Sequence, residues 1–117
     1  LTKGEMNIIN GPDEMLLMGL SAGADGGIGT TYNFMFDIIR GIYDNFMKGD
    51  LETAREYQTR AIRIISVLLS YKIIPAAKAV LEAQGYAVGN ATFPMKRYTD
   101  EEKAVIVAQM RKAGLEI

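Results

Sequence analysis

Apolar and polar positions change rhythm along this chain, and the changes mark where each element begins and ends. Met6-Asn7-Ile8-Ile9-Asn10 is short, partly β-branched and closed by Gly11-Pro12, which predicts a short buried strand. Pro12 presets φ for a first helical turn, and Asp13 and Glu14 suit a helix N-terminus. Met15, Leu16, Leu17 and Leu20 then predict a short apolar helix that stops near Gly23. From Ala24 to Thr31 the chain is first extended, then ends in small residues and hydroxyls. Phe34, Ile38, Ile39, Ile42, Tyr43 and Phe46 follow at helical spacing, and Lys48-Gly49 closes that helix. Strand-turn-helix thus occurs twice, the grammar of a parallel α/β fold. Two such strands cannot build a sheet by themselves, because both would bury apolar edges against strands outside this chain.

After Gly49 the grammar changes. Asp50 can cap a helix running to about Tyr71, with Leu51, Ala54, Tyr57, Ala61, Ile64, Ile65, Leu68 and Leu69 as one stripe. Pro75 sits where a new helix would start, and Gly85 ends it. A loop with Gly89, Asn90 and Pro94 leads to Thr99-Asp100-Glu101-Glu102, a capping box, and a last helix runs to about Ala113 before Gly114. Residues 1–49 therefore read as two βα units and residues 50–117 as a separate three-helix unit.

The 117 residues suffice for one compact domain. The chain begins at Leu1 rather than Met, which points weakly to a missing upstream segment and is equally the mark of processing. At 49% hydrophobic and 23% charged, it has the composition of an ordinary globular protein. The net charge is −1 and no Lys/Arg block could track a phosphate backbone, so nucleic acid is not an expected partner. No apolar run approaches the roughly 18 residues of a membrane span, and no signal peptide is visible. With no cysteine and no histidine, disulfides, thiolate nucleophiles, histidine bases and His- or Cys-ligated metals are excluded within the chain.

The remaining chemistry concentrates at two turns. Gly11-Pro12-Asp13-Glu14 puts adjacent carboxylates just past a strand end, the edge where parallel α/β folds bind ligands. Such a pair can accept hydrogen bonds from the vicinal hydroxyls of a polyol; it can equally be two acids complementing a helix dipole. Gly26-Gly27-Ile28-Gly29-Thr30-Thr31 is a glycine-rich strand-to-helix turn that lets backbone N–H groups approach a ligand. It lacks the order of a dinucleotide or P-loop motif, and a tight turn with Thr31 as N-cap explains it as well. Tyr43, Tyr57, Tyr71 and Tyr86 read as core or interface residues, and the methionines as packing. Lys48, Lys72, Lys78, Lys96, Lys103 and Lys112 lie on helices, helix ends or loops; none follows a buried strand, where a desolvated Schiff-base amine would be expected.

Taken together, Asn10-Gly11-Pro12-Asp13-Glu14 and Ala22-Gly23-Ala24-Asp25-Gly26-Gly27-Ile28-Gly29-Thr30-Thr31-Tyr32-Asn33 resemble the end of the barrel in N-acetylneuraminate lyases. These are members of the pyruvate-dependent aldolase superfamily that also contains dihydrodipicolinate synthases. Gly49-Asp50-Leu51-Glu52-Thr53-Ala54 and Lys78-Ala79-Val80-Leu81 fit the same family, so the resemblance covers nearly the whole chain. It implies strands seven and eight of a (β/α)8 TIM barrel with their helices, then three appended helices, a mostly helical piece when isolated. It implies reversible cleavage of N-acetylneuraminate to pyruvate and N-acetylmannosamine through a lysine Schiff base, without metal or other cofactor. The family's strand-six lysine and strand-five proton-shuttling tyrosine fall upstream of this chain, so no catalytic residue is expected on it and the chain alone is expected to be inactive.

What the resemblance assigns to this chain is a sugar clamp: Gly11 by a backbone contact, Asp13 and Glu14 to the sugar-chain hydroxyls, and Thr30 beside Gly29. Thr30 stands where serine is usual, keeping the hydroxyl; Pro12 replaces a variable residue; Ile74 falls where relatives can have an aromatic. The implied partners are the sialic acid with its two products, the remainder of the barrel, and further copies in a homo-oligomer, in the cytoplasm. Two other readings stand beside this one: a dihydrodipicolinate synthase-like aldolase with a different aldehyde partner, and a non-catalytic helical module that dimerises through an apolar stripe.

Overall fold

The computed structural model describes residues 4–117; residues 1–3, the start of the first predicted βα unit, lie outside the described residues. Strand β1 (Ile9–Asn10) leads through a 3-10 turn (Asp13–Met15) into helix α1 (Leu16–Ser21). Strand β2 (Gly26–Gly27) leads through a second 3-10 turn (Thr30–Asn33) into α2 (Phe36–Met47). Three helices complete the chain: α3 (Leu51–Leu68), α4 (Ile73–Ala83) and α5 (Asp100–Lys112).

The two strands pair in parallel, Ile9 with Gly26 and Asn10 with Gly27. Their ladder continues past both ends: the Asp25 amide donates to the Ile8 carbonyl at 2.8 Å and the Ile28 amide to the Asn10 carbonyl at 3.0 Å. Asp25 also accepts from the Ile8 amide through its side chain at 2.7 Å. One face of this ribbon is covered. A Cβ on Gly27 would fall 2.8 Å from the Leu16 side chain and overlap the Tyr32 hydroxyl. The opposite face carries Ile9, 51% exposed, and the expectation of a buried strand is corrected for Met6, Ile8 and Ile9, all exposed. Leu16 and Tyr32 cover only the face that Gly27 presents, and Ile9 points to the other one.

A single core runs through the rest. Leu16, Ile42, Ile64, Leu68, Val80, Ile106 and Met110 are its largest fully buried side chains, so all five helices contribute to it. Helices α2 and α3 approach closely because Gly41 has no side chain; a Cβ there would sit 2.5 Å from the Tyr57 ring. Gly49, at φ 81°, supplies the left-handed residue that turns the chain between them.

The capping residues lie where the pattern placed them. Asp50 accepts from the Thr53 amide at 3.0 Å and starts α3. Thr99 and Glu102 form the reciprocal capping box of α5. Leu51 and Leu69, expected in the buried stripe of α3, are exposed instead, and Gln58 lies within that stripe. The stripe drifts because a helix repeats every 3.6 residues, so positions at its two ends rotate off the covered face. Helix α3 ends three residues before Tyr71, whose hydroxyl donates to Gln109 on α5. Helix α4 begins before Pro75, which occupies its first turn, where a missing amide leaves no helical bond unmade. No single helix among the described residues is long and apolar enough to cross a membrane.

Candidate functional site

The two turns singled out by the sequence meet. Asp13, in the 3-10 turn after β1, is 9% exposed. Its Oδ2 accepts from the Thr31 hydroxyl at 2.6 Å and from the Thr31 amide at 3.0 Å. A short hydroxyl bond to a buried carboxyl group belongs to the stronger class of hydrogen bonds. Gly29 completes the joint: a Cβ there would overlap the Asp13 carboxylate and lie 2.7 Å from Oδ2, so only glycine lets the second turn close over the first. Its φ of −172° is ordinary extended backbone, which leaves space, not conformation, as the constraint.

Thr31 therefore does not act as an N-cap, as a spacing argument alone allowed; it is 3% exposed inside the second 3-10 turn and ties the turns together. Helix α2 starts five residues later behind Met35 with no side-chain cap. Around the joint lie the other expected residues. Glu14 and Gly11 are exposed, and Thr30 is half-buried with its carbonyl accepting from Asn33 Nδ2 at 3.0 Å. Asn10 braces the first turn by donating from Nδ2 to the Pro12 carbonyl at 2.7 Å. The result is one rim at the C-terminal ends of two parallel strands, with the exposed Glu14 and the Thr30 hydroxyl on neighbouring turns. Such a rim can accept from, and donate to, adjacent hydroxyls of one ligand.

Two residues escaped the sequence reading. Gln58 of α3 is buried, donates from Nε2 to the Asp13 carbonyl at 3.4 Å and accepts at Oε1 from the Leu17 amide at 2.9 Å. Its signal was present: it lies four residues after Ala54 and three before Ala61, a polar residue inside an apolar stripe. Tyr32 places its hydroxyl against Gly27, buried and without a hydrogen-bond partner among the described residues. Burial foremost, then the negative charge of Asp13, pushes the Tyr32 phenol up to about 12.

Three of the lysines are tied down elsewhere. Lys78 donates to the Val88 carbonyl, Lys96 pairs with Glu102 at 2.7 Å, and Lys103 pairs with Glu82 at 2.8 Å. The carboxylate bonded to each of Lys96 and Lys103 raises its pKa, the opposite of what a Schiff-base amine needs. Among the described residues no three acidic side chains gather as a metal site would require.

The description "Dihydrodipicolinate synthetase family" matches residues 1–113, and the chain belongs to that family. Within it, the chain is 38% identical over 99 residues to the N-acetylneuraminate lyase of Rhizobium meliloti strain 1021, covering 85% of this chain and 33% of that protein. It is 40% identical over 77 residues to the N-acetylneuraminate lyase of Escherichia coli strain K12 / DH10B, covering 66% of this chain and 26% of that protein.

Among solved structures, the N-acetylneuraminate lyase of Aliivibrio salmonicida superposes with a TM-score of 0.88 at 29% identity, over 97% of this chain and 38% of that one. CdNal from Clostridium difficile, in complex with mannosamine, gives 0.88 at 32% identity, over 96% of this chain and 39% of that one. These neighbours share the TIM-barrel fold of the family. The chain spans about a third of the length of the curated relatives it matches.

Proposed function

We propose that this chain is the C-terminal part of an N-acetylneuraminate lyase, and that its rim holds the acceptor sugar in register with a pyruvate-derived enamine. Residues 1–49 then form strands seven and eight of the barrel with their helices, and residues 50–117 form the appended helical extension. The observation that carries the reading is the bond between Asp13 and Thr31, which makes the acid-bearing turn and the glycine-hydroxyl turn one surface. The similarity to lyases and the mannosamine held by the Clostridium difficile neighbour point to the same class of ligand.

Each residue has a part. Glu14 is the exposed carboxylate that accepts from sugar hydroxyls, Thr30 donates or accepts beside Gly29, and Gly11 offers backbone. Asp13 commits Oδ2 to Thr31 and packs its carboxylate against Gly29, so it joins the turns. The lysine that forms the Schiff base and the tyrosine that moves its proton belong to the upstream part of the barrel. A pair of carboxylates suits a polyhydroxylated acceptor better than the small aldehyde acid of a dihydrodipicolinate synthase.

Positioning of a bound reactant can contribute on the order of several kcal/mol to lowering a barrier. Asp13→Ala in the whole enzyme is therefore expected to lower kcat/KM for N-acetylneuraminate by at least tenfold; an unchanged value would refute the clamp. The chain alone is expected to give no borohydride-trapped adduct with pyruvate, and a trapped lysine on it would refute the assignment of the amine to the upstream part.

A further inference from the structure

Gln58 comes from the helical extension, yet both polar atoms of its amide are spent on the acid-bearing turn and the helix that follows it. It is 7% exposed and sits between Ala54 and Ala61 on the covered face of α3, where a primary amide is costly unless bonded. Oε1 accepts from the Leu17 amide at 2.9 Å. That amide is one of the donors that every helix start leaves without an intrahelical partner, and Met15, at the N-cap of α1, has no side-chain oxygen to offer. Gln58 thus caps α1 from a different helix. Helix α1 has six residues, too few to fix its own first turn. Nε2 of Gln58 donates to the Asp13 carbonyl at 3.4 Å, one residue before Glu14.

We infer that Gln58 is a positioning residue for the sugar: by gripping the Asp13 carbonyl and the Leu17 amide, it sets where the Glu14 carboxylate stands on the rim. Asp13 is then held at two points, its carbonyl by Gln58 and its carboxylate by Thr31, and the 3-10 turn between β1 and α1 has little freedom left. The extension so becomes part of the site's frame without touching the ligand. This inference rests on the lyase reading for the identity of the ligand, but not for the mechanical grip.

The test uses the whole enzyme with three substitutions. Gln58→Leu removes both bonds; Gln58→Glu keeps the acceptor for Leu17 and loses the donor to Asp13; Ile64→Val thins the buried face of α3 two turns away and serves as a control for stability. Gln58→Leu is expected to raise KM for N-acetylneuraminate about tenfold, the effect of misplacing a binding group worth ~1.4 kcal/mol. KM for pyruvate in the synthetic direction is expected to stay within about twofold, since uniform damage to binding would move both constants together. Gln58→Glu should fall between Gln58→Leu and the parent, and Ile64→Val should change neither KM.

Equal changes in the two KM values for Gln58→Leu, or none, would overturn the inference. If Gln58→Leu does not fold, the same split is read from Gln58→Glu. If the parent enzyme releases no pyruvate from N-acetylneuraminate, the lyase reading has failed, and hydrogen exchange then decides the grip. Faster exchange of the Leu17 amide in Gln58→Leu than in Ile64→Val supports it; equal exchange overturns it.

Discussion

Replacing Gly29 by alanine tests the rim at its tightest point. The backbone there is extended, at φ −172°, so the substitution carries no conformational penalty of its own. The added methyl has nowhere to go: it would overlap the Asp13 carboxylate, which is buried and bonded to Thr31. One of the two must move, and the side chain of Asp13 is the softer element. Moving it breaks the Thr31 amide and hydroxyl bonds to Oδ2. Hydrogen bonds to a charged group contribute about 1.5–3 kcal/mol each, and an expelled carboxylate regains some hydration, so the net loss is expected near ~3 kcal/mol.

The assay is a double-mutant cycle by urea unfolding, with Gly29→Ala made alone and in an Asp13→Ala background. Contacting residues commonly couple by about 0.5–3 kcal/mol, and this pair is expected at the upper end, because the alanine is harmless once the carboxylate is gone. An identical cost of Gly29→Ala in both backgrounds would refute the close approach of the two turns.

The phenol of Tyr32, pushed up to about 12 by burial and by Asp13, binds its proton more tightly in the folded chain than in the unfolded one. The stability it contributes is therefore full below pH ~10 and is lost as pH rises toward about 12. Tyr32→Phe is expected to remove that alkaline loss and, since the hydroxyl has no partner among the described residues, to leave neutral-pH stability unchanged or slightly higher. Unfolding curves across that range check both, and an ordinary phenol titration near pH 10 would contradict them. At the other end of the chain, Thr99→Ala breaks the capping box of α5 and is expected to cost about 1 kcal/mol. Glu102, held below the usual carboxylate range first by the Lys96 ammonium and then by the Thr99 amide, adds stability that is present above its ordinary pKa and lost as pH falls through its lowered one. Acid unfolding should thus shift to higher pH in Lys96→Met, and an unchanged acid midpoint would count against that pairing.

Local chemistry made much of the fold legible. Asp50, the Thr99–Glu102 box and Gly49 each act within four residues of where they sit, so the spacing of the chain contains their whole function. The two βα units followed from short extended segments closed by turn residues and from helical periodicity in the same way. The aldolase resemblance rested on the acid pair and the glycine-hydroxyl turn, and both lie on one rim. What the pattern could not contain was anything decided across the fold. Thr31 looked like a cap because caps are local, yet its partner is Asp13, 18 residues away. Gln58 looked like one polar residue among many on an amphipathic helix, and its partners lie 41 and 45 residues upstream. Ile9 read as buried because β-branched runs usually are, but burial depends on what stands above a strand, and Ile9 lies on the face opposite the Leu16 and Tyr32 side chains.

The central claim is that the two joined turns hold a polyhydroxylated sugar. It is tested most directly by a crystal structure of the whole enzyme with N-acetylmannosamine bound. Sugar hydroxyls are expected within hydrogen-bonding distance of Glu14 and Thr30, with Asp13 still bonded to Thr31. A sugar seated away from both turns, or an Asp13 that has left Thr31 in the complete barrel, would contradict it.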